Sequence, residues 1–237
     1  MKSLNNWLLV LSVLSCFGCS SPVHEDDRGC AFVSDSIQYR VEFMSAGCVR
    51  ILSFPEGDTL VTKRLVVDSE KPAFKDYKWE DTGQKLLFRT RELSVVFDKA
   101  DAAFIFQETS TGKLLLKEKG DRKARNFKRS VAGGEQCLEV TQCFVPTEDE
   151  AIYGLGQYQN GIMNYRGKSV LLLQANMDIV NPFLISTNGY GVLWDNYSST
   201  KFEDTKEGYS FTSEVGDASD YYFVYGKNMD EVVAGYR

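Results

Sequence analysis

Ile37-Gln-Tyr-Arg-Val-Glu-Phe43 places apolar residues at 37, 39, 41 and 43 and polar ones at 38, 40 and 42. A period of two is that of a strand with one face on a core and the other in water. The same reading predicts strands at 49–54, 59–67, 85–90, 93–97 and 102–107. Residues 104–116 read as a hairpin turning at Ser110-Thr111-Gly112. Further strands are predicted at 136–145, 169–174, 182–186, 190–194, 209–212 and 221–225, spaced by turns such as Gly133-Gly134, Asn188-Gly189 and Val215-Gly216-Asp217. Many short strands separated by Gly, Asn and Asp predict an all-β chain folded as a large antiparallel β-sandwich.

The chain has 237 residues, 27 Lys+Arg against 33 Asp+Glu, a net charge of −6 and 43% hydrophobic residues. At ~150 residues per domain this is one large domain, or one domain plus a fragment. The apolar content excludes a wholly disordered chain. An acid excess without a basic stripe argues against nucleic-acid binding, where phosphates must be neutralised. The most basic stretch, 117–129, is interrupted by acids and reads as a solvated loop.

Lys2 and then Trp7-Leu-Leu-Val-Leu-Ser-Val-Leu-Ser15 have the layout of a secretory signal. The run is too short for a spanning helix of ~20 apolar residues. Small residues precede two cysteines, at Ser15-Cys16 and Gly18-Cys19. This resembles a bacterial lipoprotein signal, in which the cysteine after the cut becomes lipidated; Cys16 and Cys19 are both candidates. An ordinary signal with incidental cysteines is the alternative. Residues 1–18 are then the signal, 19–29 a solvated tether and 30–226 the folded domain. The expected location is the bacterial cell envelope, outer membrane or periplasm, with membrane contact only through a lipid anchor.

Exported chains can hold disulfides. Cys137 and Cys143, six residues apart on one predicted strand, would stand ~20 Å from each other at the usual rise, beyond the ~7 Å a bridge spans. A Cys30–Cys48 bridge has no support, and buried free thiols are expected. No spacing suits a metal clamp and no cofactor is expected. The single histidine, His24, falls in the tether.

Asn228-Met-Asp-Glu231 has the form of a helix N-cap with an acid three residues on, followed by apolar Val232, Val233 and Tyr236. The helix over 227–237 is read as leading into a second domain beyond this chain; docking on the sandwich itself is the alternative.

Three segments carry a family resemblance: Ile152-Tyr-Gly-Leu-Gly-Gln-Tyr-Gln-Asn-Gly-Ile-Met-Asn-Tyr165, Leu172-Leu-Gln-Ala-Asn-Met-Asp178, and Pro182-Phe-Leu-Ile-Ser186 with Gly189-Tyr-Gly-Val-Leu-Trp-Asp-Asn-Tyr197. They resemble the N-terminal domain of glycoside hydrolase family 31, the α-glucosidase and α-xylosidase family, nearest its α-xylosidase-like branch. The resemblance covers residues 30–237 and is specific after Glu150. It implies a galactose mutarotase-like sandwich ahead of a (β/α)8 barrel that bears both catalytic carboxylates. Such a barrel takes ~250 residues, so no residue here is carried over as catalytic, and this chain alone is expected to be inactive.

In that family the sandwich contributes a loop to the wall of the sugar site. The matching loop spans 166–182 and offers Gln174, Asn176 and Asp178 as contacts to an α-linked oligosaccharide. Several relatives have an aspartate where Asn176 stands; an amide both donates and accepts, whereas a carboxylate only accepts. Tyr165, beside Asn164 and Arg166, is the expected stacking platform, while Tyr190 and Trp194 read as core. Two other functions compete. One is a free-standing surface carbohydrate-binding lipoprotein. The other is a sugar 1-epimerase, which would lack a proton carrier because His24 lies in the tether.

Overall fold

The computed structural model describes residues 22–60 and 73–237. The signal segment with Cys16 and Cys19, and most of the strand predicted at 59–67, lie outside the described residues. Eighteen strands and one helix occur among those described. β1 (His24–Glu25), β2 (Cys30–Ser34), β3 (Ile37–Phe43) and β4 (Cys48–Pro55) form a meander in the first sheet. β5 (Lys78–Asp81), β6 (Lys85–Arg89), β7 (Leu93–Asp98), β8 (Ala103–Glu108) and β9 (Leu114–Glu118) form another in the second. β10 (Arg125–Ala132) and β11 (Glu135–Val145) make a long hairpin on the second sheet. The chain then alternates. β12 (Ile152–Gln157) joins the first sheet and β13 (Ser169–Leu172) the second; β14 (Ile179–Ser186) and β15 (Tyr190–Trp194) return to the first. β16 (Thr200–Thr205) and β17 (Gly208–Gly216) go to the second, β18 (Ser219–Tyr225) to the first, and α1 (Met229–Tyr236) follows.

The first sheet has eight strands in the order β1-β2-β3-β4-β18-β15-β14-β12. The second has ten, in the order β13-β16-β17-β11-β9-β8-β7-β6-β5, with β10 attached to β11. Every pairing is antiparallel. Tyr39, Val41 and Phe43 point into the core between the sheets, as the alternation requires, together with Phe97, Phe104, Phe106, Trp194, Phe211 and Tyr221. Trp194 stacks on Phe211 and Phe106 on Phe223, rings contributed by opposite sheets.

One polar network crosses this core. Glu118 accepts hydrogen bonds from the Phe104 amide at 2.7 Å, Gln142 Nε2 at 2.9 Å, the Tyr221 hydroxyl at 2.9 Å and the Arg125 guanidinium. Arg125 also donates to the Tyr39 hydroxyl at 2.9 Å and lies over its ring. On the outer face of the first sheet a charged ladder runs from Asp26 through Arg40, Glu42 and Arg50 to Asp220.

Several expectations change. The basic stretch 117–129 is not a loop throughout: β9 reaches Glu118 and β10 begins at Arg125, whose side chain is buried against Glu118. Within the tether expected over 19–29, whose first three residues lie outside the described ones, residues 24–26 are part of the fold: β1 pairs with β2, Glu25 accepts from Tyr77 and Trp79, and Asp26 holds Arg40. Cys30 and Cys48 are buried free thiols, as expected, whereas Cys137 and Cys143 are only half-buried. Helix α1 is capped by Asn228, which accepts from the Glu231 amide at 2.9 Å. It packs on the outer face of the first sheet, where Val232 is fully buried beside Cys48, Phe183, Leu193, Tyr222 and Val224. Val233 and Tyr236 stay partly exposed, Tyr236 lying flat on Phe183.

Candidate functional site

β12 is an edge strand built around three consecutive left-handed residues: Gly154 (φ 101°), Leu155 (φ 64°) and Gly156 (φ 116°). A Cβ at 154 would collide with the Phe183 carbonyl oxygen, and one at 156 with that of Ile179. Only glycine tolerates both the backbone angle and the approach. The pairing with β14 shifts between Gly154 and Gly156, and β12 ends with Gln157 opposite Ile179. The chain leaving β12 after Gln157 and residues 173–178, entering β14, therefore start from the same end of the sandwich, whereas residues 164–166 have returned to the opposite end, beside Ile152.

The first of these loops is fastened from below. Asn164 Oδ1 accepts from the Ile152 and Arg166 amides, each at 3.1 Å, and the Tyr165 amide donates to the Ile152 carbonyl at 2.8 Å. Arg166 donates through Nε to Asp204 at 2.9 Å and through Nη1 to the Thr147 carbonyl at 3.0 Å. These ties carry the Tyr165 ring inward. It is 2% exposed and meets Phe202 edge to face. The stacking role expected of Tyr165 is corrected accordingly: a ring enclosed in the core presents no face to a sugar.

The loop matched at 166–182 is shorter than expected, because β13 and the start of β14 occupy much of it. What remains is 173–178. Gln174 braces it, donating through Nε2 to the Asp178 carbonyl at 2.8 Å and accepting from the Val180 amide at 3.2 Å. Both ends of that amide are thus used within the turn, which leaves Gln174 as a brace for its neighbours. Asn176 is exposed at the bend and Asp178 half-buried behind it. Leu171, Leu173, Met177 and Ile179 flank the bend at 49–63% exposure, and Met163 on the neighbouring loop reaches 78%.

At the foot of the loop lies a cleft of about 350 Å³ lined by Gln174, Asn181, Trp194, Asn196, Tyr197 and Tyr236 among others. Amides beside aromatic surface suit the hydroxyls and apolar faces of a pyranose. Its lining includes a single carboxylate, Asp195. Retaining glycoside cleavage needs two carboxyl groups ~5–5.5 Å apart, a pair this cleft does not supply. Sequence reasoning passed over the anchors Glu150 and Asp204; the Asn164-X-Arg166 turn was the local signal that the loop is tied down.

The chain matches the model of the glycosyl hydrolase 31 N-terminal galactose mutarotase-like domain over residues 38–203. It is 33% identical over 217 residues to an alpha-xylosidase of Saccharolobus solfataricus, covering 85% of this chain and 28% of that protein. Among solved structures, a GH31 alpha-xylosidase from a soil metagenome, complexed with xylose, superposes with a TM-score of 0.77 at 22% identity, over 91% of this chain and 34% of that one. A GH31 dextranase of Flavobacterium johnsoniae, in a complex with isomaltotriose, gives a TM-score of 0.73 at 21% identity, over 92% and 28%. The chain thus spans roughly a third or less of the length of these relatives.

Proposed function

The chain belongs to glycoside hydrolase family 31, as its N-terminal galactose mutarotase-like domain, and we propose that it acts as the non-catalytic sandwich of an α-xylosidase- or α-glucosidase-type retaining glycosidase. Its work is to support a catalytic barrel and to extend the 173–178 loop to the edge of the sugar site. Asn176 and Asp178 are the polar contacts to an α-linked oligosaccharide, held in place by Gln174. The observation that carries this reading is the apolar collar of Leu171, Leu173, Met177 and Ile179 around that loop. Exposed apolar side chains gathered along one short stretch of chain suit a surface that another body covers, and here they flank the polar tip rather than replace it. The leader-like residues 1–18 support an exported, lipid-anchored location.

The test is a chimera in which this sandwich replaces the N-terminal domain of an active family 31 α-xylosidase. The chimera is expected to turn over an aryl α-xyloside, with Asn176→Ala and Asp178→Ala raising KM more than they lower kcat. Hydrolysis by the purified 237-residue chain alone would refute the non-catalytic role. A second reading, a free-standing carbohydrate-binding lipoprotein, draws on the cleft beside Tyr197, which is 48% exposed. It predicts oligosaccharide affinity by calorimetry that Tyr197→Ala abolishes, and a flat titration disposes of it.

A further inference from the structure

Glu150 lies at the root of the motif-bearing region, just ahead of β12, and is 6% exposed. Ser186 on β14 donates to its Oε2, while Ser186 Oγ itself accepts from the Asn188 amide at 3.0 Å. Its Oε1 makes no hydrogen bond and stands 3.8 Å from Arg166 Nη1. That guanidinium is already committed to Asp204 on β16 and to the Thr147 carbonyl. Tyr190 on β15 and Tyr209 on β17 complete the surroundings; both rings are buried, and neither hydroxyl has a hydrogen-bond partner of good geometry. Two carboxylates therefore share one guanidinium, and the shorter contact belongs to Asp204. An ionised Glu150 would leave a negative charge enclosed among hydroxyls with no cation of its own, a costly arrangement.

We infer that Glu150 is held as a neutral acid inside the fold, with its Oε1 proton directed to the Tyr190 hydroxyl and Tyr190 in turn donating to Tyr209. The added hydrogen gives the bare Oε1 an acceptor, places both phenols in one chain and leaves Arg166 paired with Asp204 alone. Burial pushes the Glu150 carboxyl upward in the same direction, outweighing the opposite pull of the Ser186 and Tyr190 hydroxyls, the Arg166 charge and the Thr147 amide. The consequence reaches the 158–168 loop, because the side chain that fastens it is Arg166. Removing the proton creates a second carboxylate competing for that guanidinium, so the loop's anchor is proton-linked. None of this depends on the glycosidase reading.

Two measurements on the full chain test it. Carboxyl-carbon NMR of the wild-type protein should show one glutamate still in its neutral-acid position after the exposed glutamates have titrated near their usual ~4.3. Chemical unfolding of wild type and Glu150→Gln should be compared across pH. The folded state keeps a proton that the unfolded chain releases, so rising pH favours unfolding of the wild type. The ratio of its unfolding constant to that of Glu150→Gln should climb by up to tenfold per pH unit above ~4.3, until Glu150 ionises in the folded state. A ratio that is flat or falls with pH, or a Glu150 carboxyl resonance (the one missing from Glu150→Gln) that titrates at or below ~4.3, overturns the inference in favour of an ionised Glu150. If Glu150→Gln does not fold, the wild-type titration decides alone.

Discussion

The Tyr221 hydroxyl donates to Glu118 Oε1 at 2.9 Å, so that residues of the two opposing sheets meet at one carboxylate. Arg125 neutralises that carboxylate from the same side as β10, with the Glu118 side chain wholly buried and that of Arg125 nearly so. Breaking a buried pair by removing one partner leaves an uncompensated charge. Arg125→Met should cost about 3–5 kcal/mol in urea unfolding. The double variant Arg125→Met with Glu118→Gln should lose distinctly less, since the orphaned charge is gone.

Gly156 carries a different kind of constraint. With φ at 116° and the Ile179 carbonyl where a Cβ would go, Gly156→Ala meets both backbone strain and a collision. A loss of more than about 1 kcal/mol is expected. Hydrogen exchange should localise the damage to the amides of β12 and β14, leaving β3 and β4 protected.

Tyr165 separates packing from recognition. Removing a buried aromatic ring costs about 3–5 kcal/mol, so Tyr165→Ala should unfold at markedly lower denaturant. Tyr165→Phe keeps the ring against Phe202 and should retain most of the stability. A Tyr165→Ala protein of unchanged stability that loses only sugar affinity would restore the stacking role.

Asp26 supplies an acid-sensitive contribution. Burial alone would raise its carboxyl, but hydrogen bonds from Arg40 and from the amides of Arg28 and Gly29 outweigh it and hold the group at about 2. The folded value lies below the unfolded one, so the stabilisation is present above the ordinary aspartate range and fades as pH falls toward 2. Asp26→Asn should flatten the unfolding free energy between pH 4 and 2 relative to wild type.

Where the apolar pattern was strong the strands were legible in the sequence: β3 through its alternation, and β7, β15 and β18 as short apolar runs that the fold buries on both faces. The hidden ones lacked that contrast. β5 (Lys-Trp-Glu-Asp) is an edge strand, and β10 (Arg-Asn-Phe-Lys-Arg) has a charged sequence because most of its length is solvated, which also protects a free edge from pairing with other chains. β16 was masked by Asp204, a buried carboxylate in an inward position whose partner, Arg166, lies 38 residues earlier. The polar 173–178 tip was visible through its motif. The burial of Tyr165 was not, since an aromatic residue beside Asn and Arg looks exposed until Arg166 is seen to turn inward.

Gln174 makes the 173–178 turn self-sufficient, its amide joining Asp178 to Val180. Ala175, Asn176 and Met177 then sit on a frame that does not rely on their own side chains. Changes at these three positions can therefore be made without renegotiating the packing beneath, so the side chains displayed at the bend are uncoupled from the backbone that carries them.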